Sequence, residues 1–72
     1  MKKLSIEKMA KTITNKRKES NLTQAQLADK TNTNRAMISR IENSEYTPSI
    51  DQLQAIAEVL NFEIVDLFEE EI

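Results

Sequence analysis

The chain has 72 residues and a formal net charge of −2, and it contains no cysteine, no histidine and no glycine. This length allows one small domain, near the lower limit at which a single core is self-sufficient. The composition excludes a disulfide and a thiolate metal site, and it removes the commonest metal ligand and general base. No run of 18 apolar residues and no signal-peptide pattern occurs, so we expect a cytoplasmic protein without a membrane span.

The charges divide the chain into two unlike halves. Residues 1–40 hold all ten Lys and Arg and three carboxylates, a net charge of +7, whereas residues 41–72 hold nine carboxylates and no Lys or Arg, a net charge of −9. This division favours a basic end that faces nucleic acid and an acidic end kept away from it, over charges that only keep the protein soluble.

The first predicted helix follows a basic arm. The arm, residues 1–4, lies along phosphates or is a disordered terminus. Ser5 is a suitable cap for the helix, which should end at Ser20 and Asn21. Its apolar stripe, at helical spacing, consists of Ile6, Met9, Ala10 and Ile13. Three lysines on its other faces reach phosphates or only solvate the helix: Lys11, Lys16 and Lys18.

Arg17 extends the apolar stripe of this first helix. An Arg on an inward face needs a carboxylate partner, because an unpaired buried charge is very costly. Glu42, at the edge of a later apolar face, is the candidate partner. We therefore expect Arg17 and Glu42 to form a structural ion pair.

The central stretch, residues 23–43, predicts two short helices joined by a tight turn. Thr23 and Gln26 have the spacing of a capping box, so a helix should begin directly after Thr23. Asn32 stands at the turn, because Asn adopts a left-handed backbone more readily than other non-glycine residues. Asn34 is a suitable N-cap for the second helix.

The second of these helices has two unlike faces. Met37, Ile38 and Ile41 lie on one side. The other side is a polar arc of roughly 140° that contains Arg35, Ala36, Ser39, Arg40 and Asn43. Such a helix fits the DNA major groove, where Arg donates two hydrogen bonds to guanine and a small Ala contacts a thymine methyl. The alternative is a solvated face that carries two arginines.

The last third of the chain predicts two more helices. Pro48 precedes a second capping box, formed by Ser49 and Gln52. The core stripe of the helix that follows is Ile50, Leu53, Ile56, Ala57 and Leu60. A last short helix from about residue 64 carries more apolar side chains than a small core needs. We therefore predict a self-association surface at Val59, Val65, Phe68 and Ile72. The alternative is a covered core with a frayed acidic tail, residues 69–71.

The central segment resembles the helix-turn-helix of the Xre family, the Cro and phage-repressor type of bacterial DNA-binding domain. The match rests on Ala28, Asn32, Ile38 and Ile41, and it continues through ISRIEN, Pro48, Ser49 and LQAIAEVLNF. It covers about residues 13–68. The resemblance implies an all-α, compact five-helix bundle with its helix-turn-helix at residues 24–43, a lambda-repressor-like DNA-binding domain. We expect one domain over residues 1–72, with an ordered core at about residues 5–68.

The resemblance also implies that the Arg17–Glu42 pair is structural and that glycine is favoured at four positions, which are here Asn21, Asn32, Ser44 and Asn61. Ser44 fits this pattern least well. Asn tolerates a left-handed backbone better than other residues with a side chain. The backbone after the recognition helix is therefore where this chain departs most from the family.

The function implied is a sequence-specific DNA-binding transcriptional regulator, a homodimeric repressor that reads an inverted-repeat operator. The expected readers of base edges are Arg35, Ala36, Ser39 and Arg40. The expected phosphate contacts are Gln24, Asn43 and Tyr46, although Tyr46 fits an aromatic lid on the core nearly as well. Double-stranded DNA and a second copy are the expected partners, with no cofactor and no metal.

Other functional classes are less well supported. No catalytic constellation occurs, because hydroxyl side chains stand without an evident base and no glycine-rich loop is present, so we do not expect an enzyme. The alternative is a protein-interaction module on the same fold, antitoxin-like or coactivator-like, whose acidic C-terminal half binds a protein partner. Its binding should depend weakly on salt, in contrast to DNA binding.

Overall fold

The structure is a computed structural model, and it describes residues 2–70. Four α-helices carry the fold and a pair of short strands closes it. In chain order the elements are β1 (Lys2–Leu4), α1 (Ile6–Glu19), α2 (Gln24–Lys30), α3 (Arg35–Glu42), α4 (Ile50–Leu60), a 3-10 helix (Ile64–Leu67) and β2 (Phe68–Glu70). The mostly helical helix-turn-helix fold agrees with the sequence, but the expectation of five helices is wrong.

A side-chain cap begins each of the four α-helices. Ser5 caps α1 and Asn34 caps α3, each by accepting a hydrogen bond from a backbone N–H in the first turn. Complete capping boxes begin the other two helices, with Thr23 and Gln26 at α2 and Ser49 with its Gln partner at α4. Each cap satisfies donors that a helix start leaves without an intrahelical acceptor.

The same backbone motif ends each α-helix. One residue has positive φ, and the residue after it donates its N–H to the carbonyl five residues earlier. These bonds are Leu22 to Arg17 (3.1 Å), Thr33 to Ala28 (2.9 Å), Glu45 to Arg40 (2.8 Å) and Phe62 to Ala57 (3.0 Å). The residues with positive φ are Asn21 (58°), Asn32 (56°), Ser44 (62°) and Asn61 (61°). This is the Schellman arrangement, which usually uses glycine.

The core lies where the four α-helices and the 3-10 helix meet. Its largest fully buried side chains are Met9, Ile13, Leu27, Ile38, Ile41, Leu53, Ile56 and Leu67. Thr31 is buried with them, and its hydroxyl is satisfied by donating to the Leu27 carbonyl at 2.8 Å. The apolar stripes of α1, α3 and α4 thus converge on one cluster.

Ile50 does not belong to this core, contrary to the sequence-based expectation. It is the first residue of α4, and 63% of its surface is exposed. Pro48, two residues earlier, is buried instead at this end of the helix. The apolar stripe of α4 therefore begins one turn later, at Leu53, and Ile50 lies beyond the edge of the core.

The two strands form an antiparallel sheet between the two ends of the described chain. Opposite charges face each other across it, with Lys2 opposite Glu70 and Lys3 opposite Glu69, while Leu4 pairs with Phe68. The expectation of a basic arm is wrong, since Lys2–Leu4 form β1, whereas the short helix expected from about residue 64 is present as the 3-10 helix Ile64–Leu67. A helix of only four residues is followed directly by β2. Met1, Glu71 and Ile72 lie outside the described residues.

Candidate nucleic-acid interface

The outward face of α3 carries the side chains predicted to read bases. Arg35, Ala36 and Arg40 are exposed, and Ser39 is half-buried beside them. On the opposite side of the helix, Ile38 and its partner Ile41 are completely buried. Because its apolar side is fixed in the core, α3 presents a polar, cationic surface in a single orientation.

The turn between α2 and α3 fixes the orientation of the second helix. The Thr33 N–H donates to the Ala28 carbonyl at 2.9 Å, and the hydroxyls of Thr31 and Thr33 lie 3.1 Å apart. Leu27 and Ala28 anchor α2 in the core. The two threonines thus add side-chain hydrogen bonds to this short turn. Only Thr33 and Asn34 lie between Asn32 and the start of α3. Nothing in the pattern of apolar residues predicts these bonds.

Arg17 and Glu42 join α1 to the carboxyl end of α3. Arg17 Nε donates to Glu42 Oε2 at 2.7 Å, and Nη2 donates to Oε1 at 3.1 Å. Arg17 Nη1 also donates to the Leu22 carbonyl at 2.8 Å. The side chains are 12% and 6% exposed, respectively. This two-bond geometry is the strong form of an Arg–carboxylate pair and fixes α3 against α1.

Gln24 adds a third donor to the same carboxylate. Its Nε2 donates to Glu42 Oε1 at 3.1 Å, so α1, α2 and α3 meet at one side chain. Burial raises the pKa of Glu42, but hydrogen bonds from Arg17, Gln24 and Thr14, together with the positive charge of Arg17, outweigh it and hold that pKa below its usual value. The hydrogen bond to Glu42 raises the pKa of Arg17. Both groups are therefore charged at neutral pH.

The residues after α3 lie beside its outward face. Asn43 is exposed, and Ser44 reverses the chain with its positive φ. Tyr46 is half-buried against the core, and its hydroxyl lies 3.4 Å from Gln52 Oε1. This packing agrees with the aromatic-lid interpretation of Tyr46. Of the three side chains predicted to contact phosphate, Asn43 is thus the most accessible, and Gln24 is half-buried.

Comparison with known proteins agrees with this geometry. The family model described as Helix-turn-helix matches residues 13–67, which include α2, α3 and α4. The chain belongs to the helix-turn-helix family. The resemblance to the Xre type is confirmed by this match and by the relatives described next.

One relative of this helix-turn-helix protein is a phage repressor. The immunity repressor protein of Bacillus phage phi105 is 42% identical over 55 residues, which make up 76% of this chain and 38% of that protein. The chain therefore spans well under half the length of this curated relative.

Solved structures of similar proteins include a restriction-modification controller protein. The wild-type restriction-modification controller protein C.Esp1396I is 32% identical, with a TM-score of 0.75 over 86% of this chain and 82% of that chain. The same controller as a tetramer in complex with its natural 35 base-pair operator gives a TM-score of 0.74. The clp gene regulator ClgR from Corynebacterium glutamicum shares the fold, with a TM-score of 0.78 at 18% identity over 86% of this chain and 66% of that chain.

The residues predicted for self-association differ in exposure in this helix-turn-helix protein. Val65 is 63% exposed, whereas Val59 and Phe68 are half-buried, and Val59 packs on the core. Ile72 lies outside the described residues. Ile50, equally exposed, is an apolar surface residue that the helical stripe pattern misassigned to the core.

Within residues 2–70, no group of three or more Asp, Glu, Cys or His side chains is placed to hold a metal ion. None of the helices formed by these residues combines the length and the apolar character that crossing a membrane requires.

Proposed function

We propose that this helix-turn-helix protein is a sequence-specific DNA-binding transcriptional regulator, and that it acts as a homodimeric repressor on an inverted-repeat operator. The observation that carries this proposal is the polar, cationic surface of α3, held in one orientation by the buried opposite side and by the Arg17–Glu42 pair. The similarity to a phage immunity repressor supports this proposal. The similarity to a controller protein whose structure was solved in complex with its operator also supports it. A protein of this kind works in the cytoplasm.

Base reading would fall to the exposed side chains of α3. Arg35 and Arg40 can each donate two hydrogen bonds to the O6 and N7 atoms of a guanine in the major groove. Ala36 is short enough to let the helix approach closely and to contact a thymine methyl, and Ser39 can bond to several bases. The two arginines therefore supply most of the sequence preference in this proposal.

Phosphate contacts would hold α3 in register on the duplex. The amide side chains of Gln24 and Asn43 lie at the start of the helix-turn-helix and directly after its recognition helix. Side-chain amides are common donors to phosphate oxygens, and such contacts position a protein without reading sequence. Tyr46 would join them by exchanging its bond with Gln52 for one with a phosphate oxygen.

In a two-fold dimer, each subunit would read one half-site, so two recognition helices would contribute to sequence discrimination. Recognition helices about 34 Å apart would enter successive major grooves, which requires half-sites roughly one helical turn apart. Val65 is the accessible apolar side chain in the proposed contact surface, with Val59, Phe68 and Ile72 as the other members. A small domain also gains stability when part of its apolar surface is covered by a second copy.

The test is selection from a pool of randomised duplexes by the purified protein at near-physiological salt, followed by sequencing. Enrichment of an inverted repeat would support a dimeric, sequence-specific regulator. Arg40→Ala should then relax the preference at one base pair by about 1–3 kcal/mol. If this variant instead weakened binding to every duplex equally, Arg40 would be a phosphate contact and not a base reader.

A protein-interaction module is the second candidate. It is favoured by the net charge of −9 in residues 41–72 and by the exposed Ile50 and Val65 in that half. The two functions differ in salt dependence, because DNA binding releases counterions and weakens steeply with salt. A folded protein that enriches no duplex, yet binds a protein partner at high salt, would support this second candidate.

A further inference from the structure

A groove lies between α1 and the carboxyl end of α3. Its walls are formed by Glu7, Ala10, Lys11, Thr14, Asn15, Glu42, Asn43 and Ser44. Asn43 and Ser44 directly follow the recognition helix, and Asn43 shares the outward arc of Arg35 and Arg40. The groove therefore adjoins the surface proposed to face DNA.

The groove offers donors of three kinds. Lys11 supplies an ammonium group, Asn15 and Asn43 supply amides, and Ser44 supplies a hydroxyl. Lys11, Asn15 and Asn43 are exposed, and none of their side chains has a hydrogen-bond or ion-pair partner among residues 2–70. One cation with several neutral donors around it is a suitable set for a phosphodiester oxygen.

The two carboxylates in the groove differ in how much negative charge they leave unbalanced. Glu42 is 6% exposed, and its oxygens accept hydrogen bonds from Arg17 and Gln24, so its charge is compensated. Glu7 is exposed and lies one helical turn before Lys11 on the same face of α1. A Glu four residues before a Lys on a helix attracts it, so Glu7 competes with an incoming phosphate for Lys11.

We propose that this groove binds a phosphate of the DNA backbone, with Lys11 as its cation and Asn15 and Asn43 as neutral donors, and that Glu7 weakens this contact. The proposal rests on the DNA-binding function proposed above and adds a contact from α1, outside the helix-turn-helix. It makes α1 more than a support for α3, since it places α1 against the phosphate backbone at the carboxyl end of the recognition helix.

Lys11→Gln tests the cation. Binding to a duplex enriched by selection would be measured from 50 to 200 mM salt, and in parallel to an unrelated duplex. Loss of one phosphate contact should reduce the slope of log K against log salt by about 0.9, so that the affinity lost over this range becomes roughly three- to fourfold smaller. The change should be the same on both duplexes, because a phosphate contact carries no sequence information.

Lys8→Gln is the matched control. It removes the same charge from the same helix, but Lys8 does not line the groove beside α3. Circular dichroism would verify that both variants are folded, as expected for exposed lysines on a helix. Equal salt slopes for Lys11→Gln and Lys8→Gln would overturn the proposal, whereas a smaller slope for Lys11→Gln alone would support it.

Glu7→Gln tests the competing carboxylate, and its expected effect on DNA affinity is opposite to that of Lys11→Gln. It should tighten binding in the otherwise unchanged protein and have a smaller effect when Lys11 is already Gln, because the proposed effect of Glu7 comes from its attraction to the Lys11 charge. An equal effect in both backgrounds would mean that Glu7 acts only through net charge. A wild-type protein that binds no duplex would refute the proposed function itself, an outcome distinct from any difference between variants.

Discussion

Glu42→Gln should destabilise the fold markedly at neutral pH. The substitution keeps the size of the side chain but removes the charge that faces Arg17, whose side chain is only 12% exposed. Removing one partner of a buried ion pair costs about 3–5 kcal/mol. Arg17 keeps its 2.8 Å bond to the Leu22 carbonyl, and the new amide retains one acceptor oxygen. We therefore expect a loss of about 2–3 kcal/mol from a total stability of roughly 4–10 kcal/mol.

The pH dependence identifies the cause of this loss. The pKa of Glu42 is lowered in the folded protein, so its charge contributes stability that is present above the ordinary carboxyl pKa and is lost as the pH falls through the folded value. In the wild type this contribution should disappear at acidic pH. The difference in stability between wild type and Glu42→Gln should therefore be largest near pH 7 and shrink well below pH ~4, the ordinary value for a Glu.

Urea unfolding, followed by far-ultraviolet circular dichroism near pH 7 and well below pH ~4, measures this difference in stability. Glu45→Gln is the control, since it removes an exposed carboxylate three residues away. A gap between wild type and Glu42→Gln that is equally large at both pH values would refute the electrostatic explanation and leave packing as the cause. A Glu45→Gln variant as unstable as Glu42→Gln would refute the role of the pair.

Two further predictions concern the backbone and the surface. Ser44→Gly should stabilise the protein by about 0.5–1 kcal/mol, seen as a higher Tm, because Gly avoids the cost of positive φ. Asn21→Gly should stabilise it less, since Asn tolerates positive φ better than Ser. An unchanged Tm for Ser44→Gly would contradict this reasoning. Val65→Asp should shift the protein from dimer to monomer in analytical ultracentrifugation while its circular dichroism stays constant. The same charge change at Gln54, on the exposed side of α4, is the control.

Local signals predicted most of the helical part of the fold. Each of the four N-caps is a Ser, Thr or Asn whose side chain bonds to the backbone a few residues away, so its effect is set by neighbouring sequence. The left-handed residues Asn21 and Asn32 follow from the same kind of local chemistry. The Arg17–Glu42 pair could also be predicted from the sequence, because a charge on an apolar stripe requires a partner.

The features that sequence reasoning missed depend on the tertiary arrangement. The pairing of β1 with β2 joins three-residue segments from opposite ends of the described chain, and no local propensity identifies either as a strand. Ile50 continues the spacing of α4, but only the extent of the core shows that it lies outside. The bond from Gln24 to Glu42 depends on how α2 packs beside α3 and has no signal in the sequence.

The β1–β2 sheet has a consequence for the order of folding. Its partners are separated by more than 60 residues, so closing this loop costs more entropy than forming the helix-turn-helix, whose contacts are between neighbouring segments. We expect the sheet to form after the main kinetic barrier. Substitutions such as Lys3→Glu, which places like charges opposite each other, should then accelerate unfolding and leave the folding rate almost unchanged. The β1–β2 sheet would thus form late and prolong the lifetime of the native state without guiding its formation.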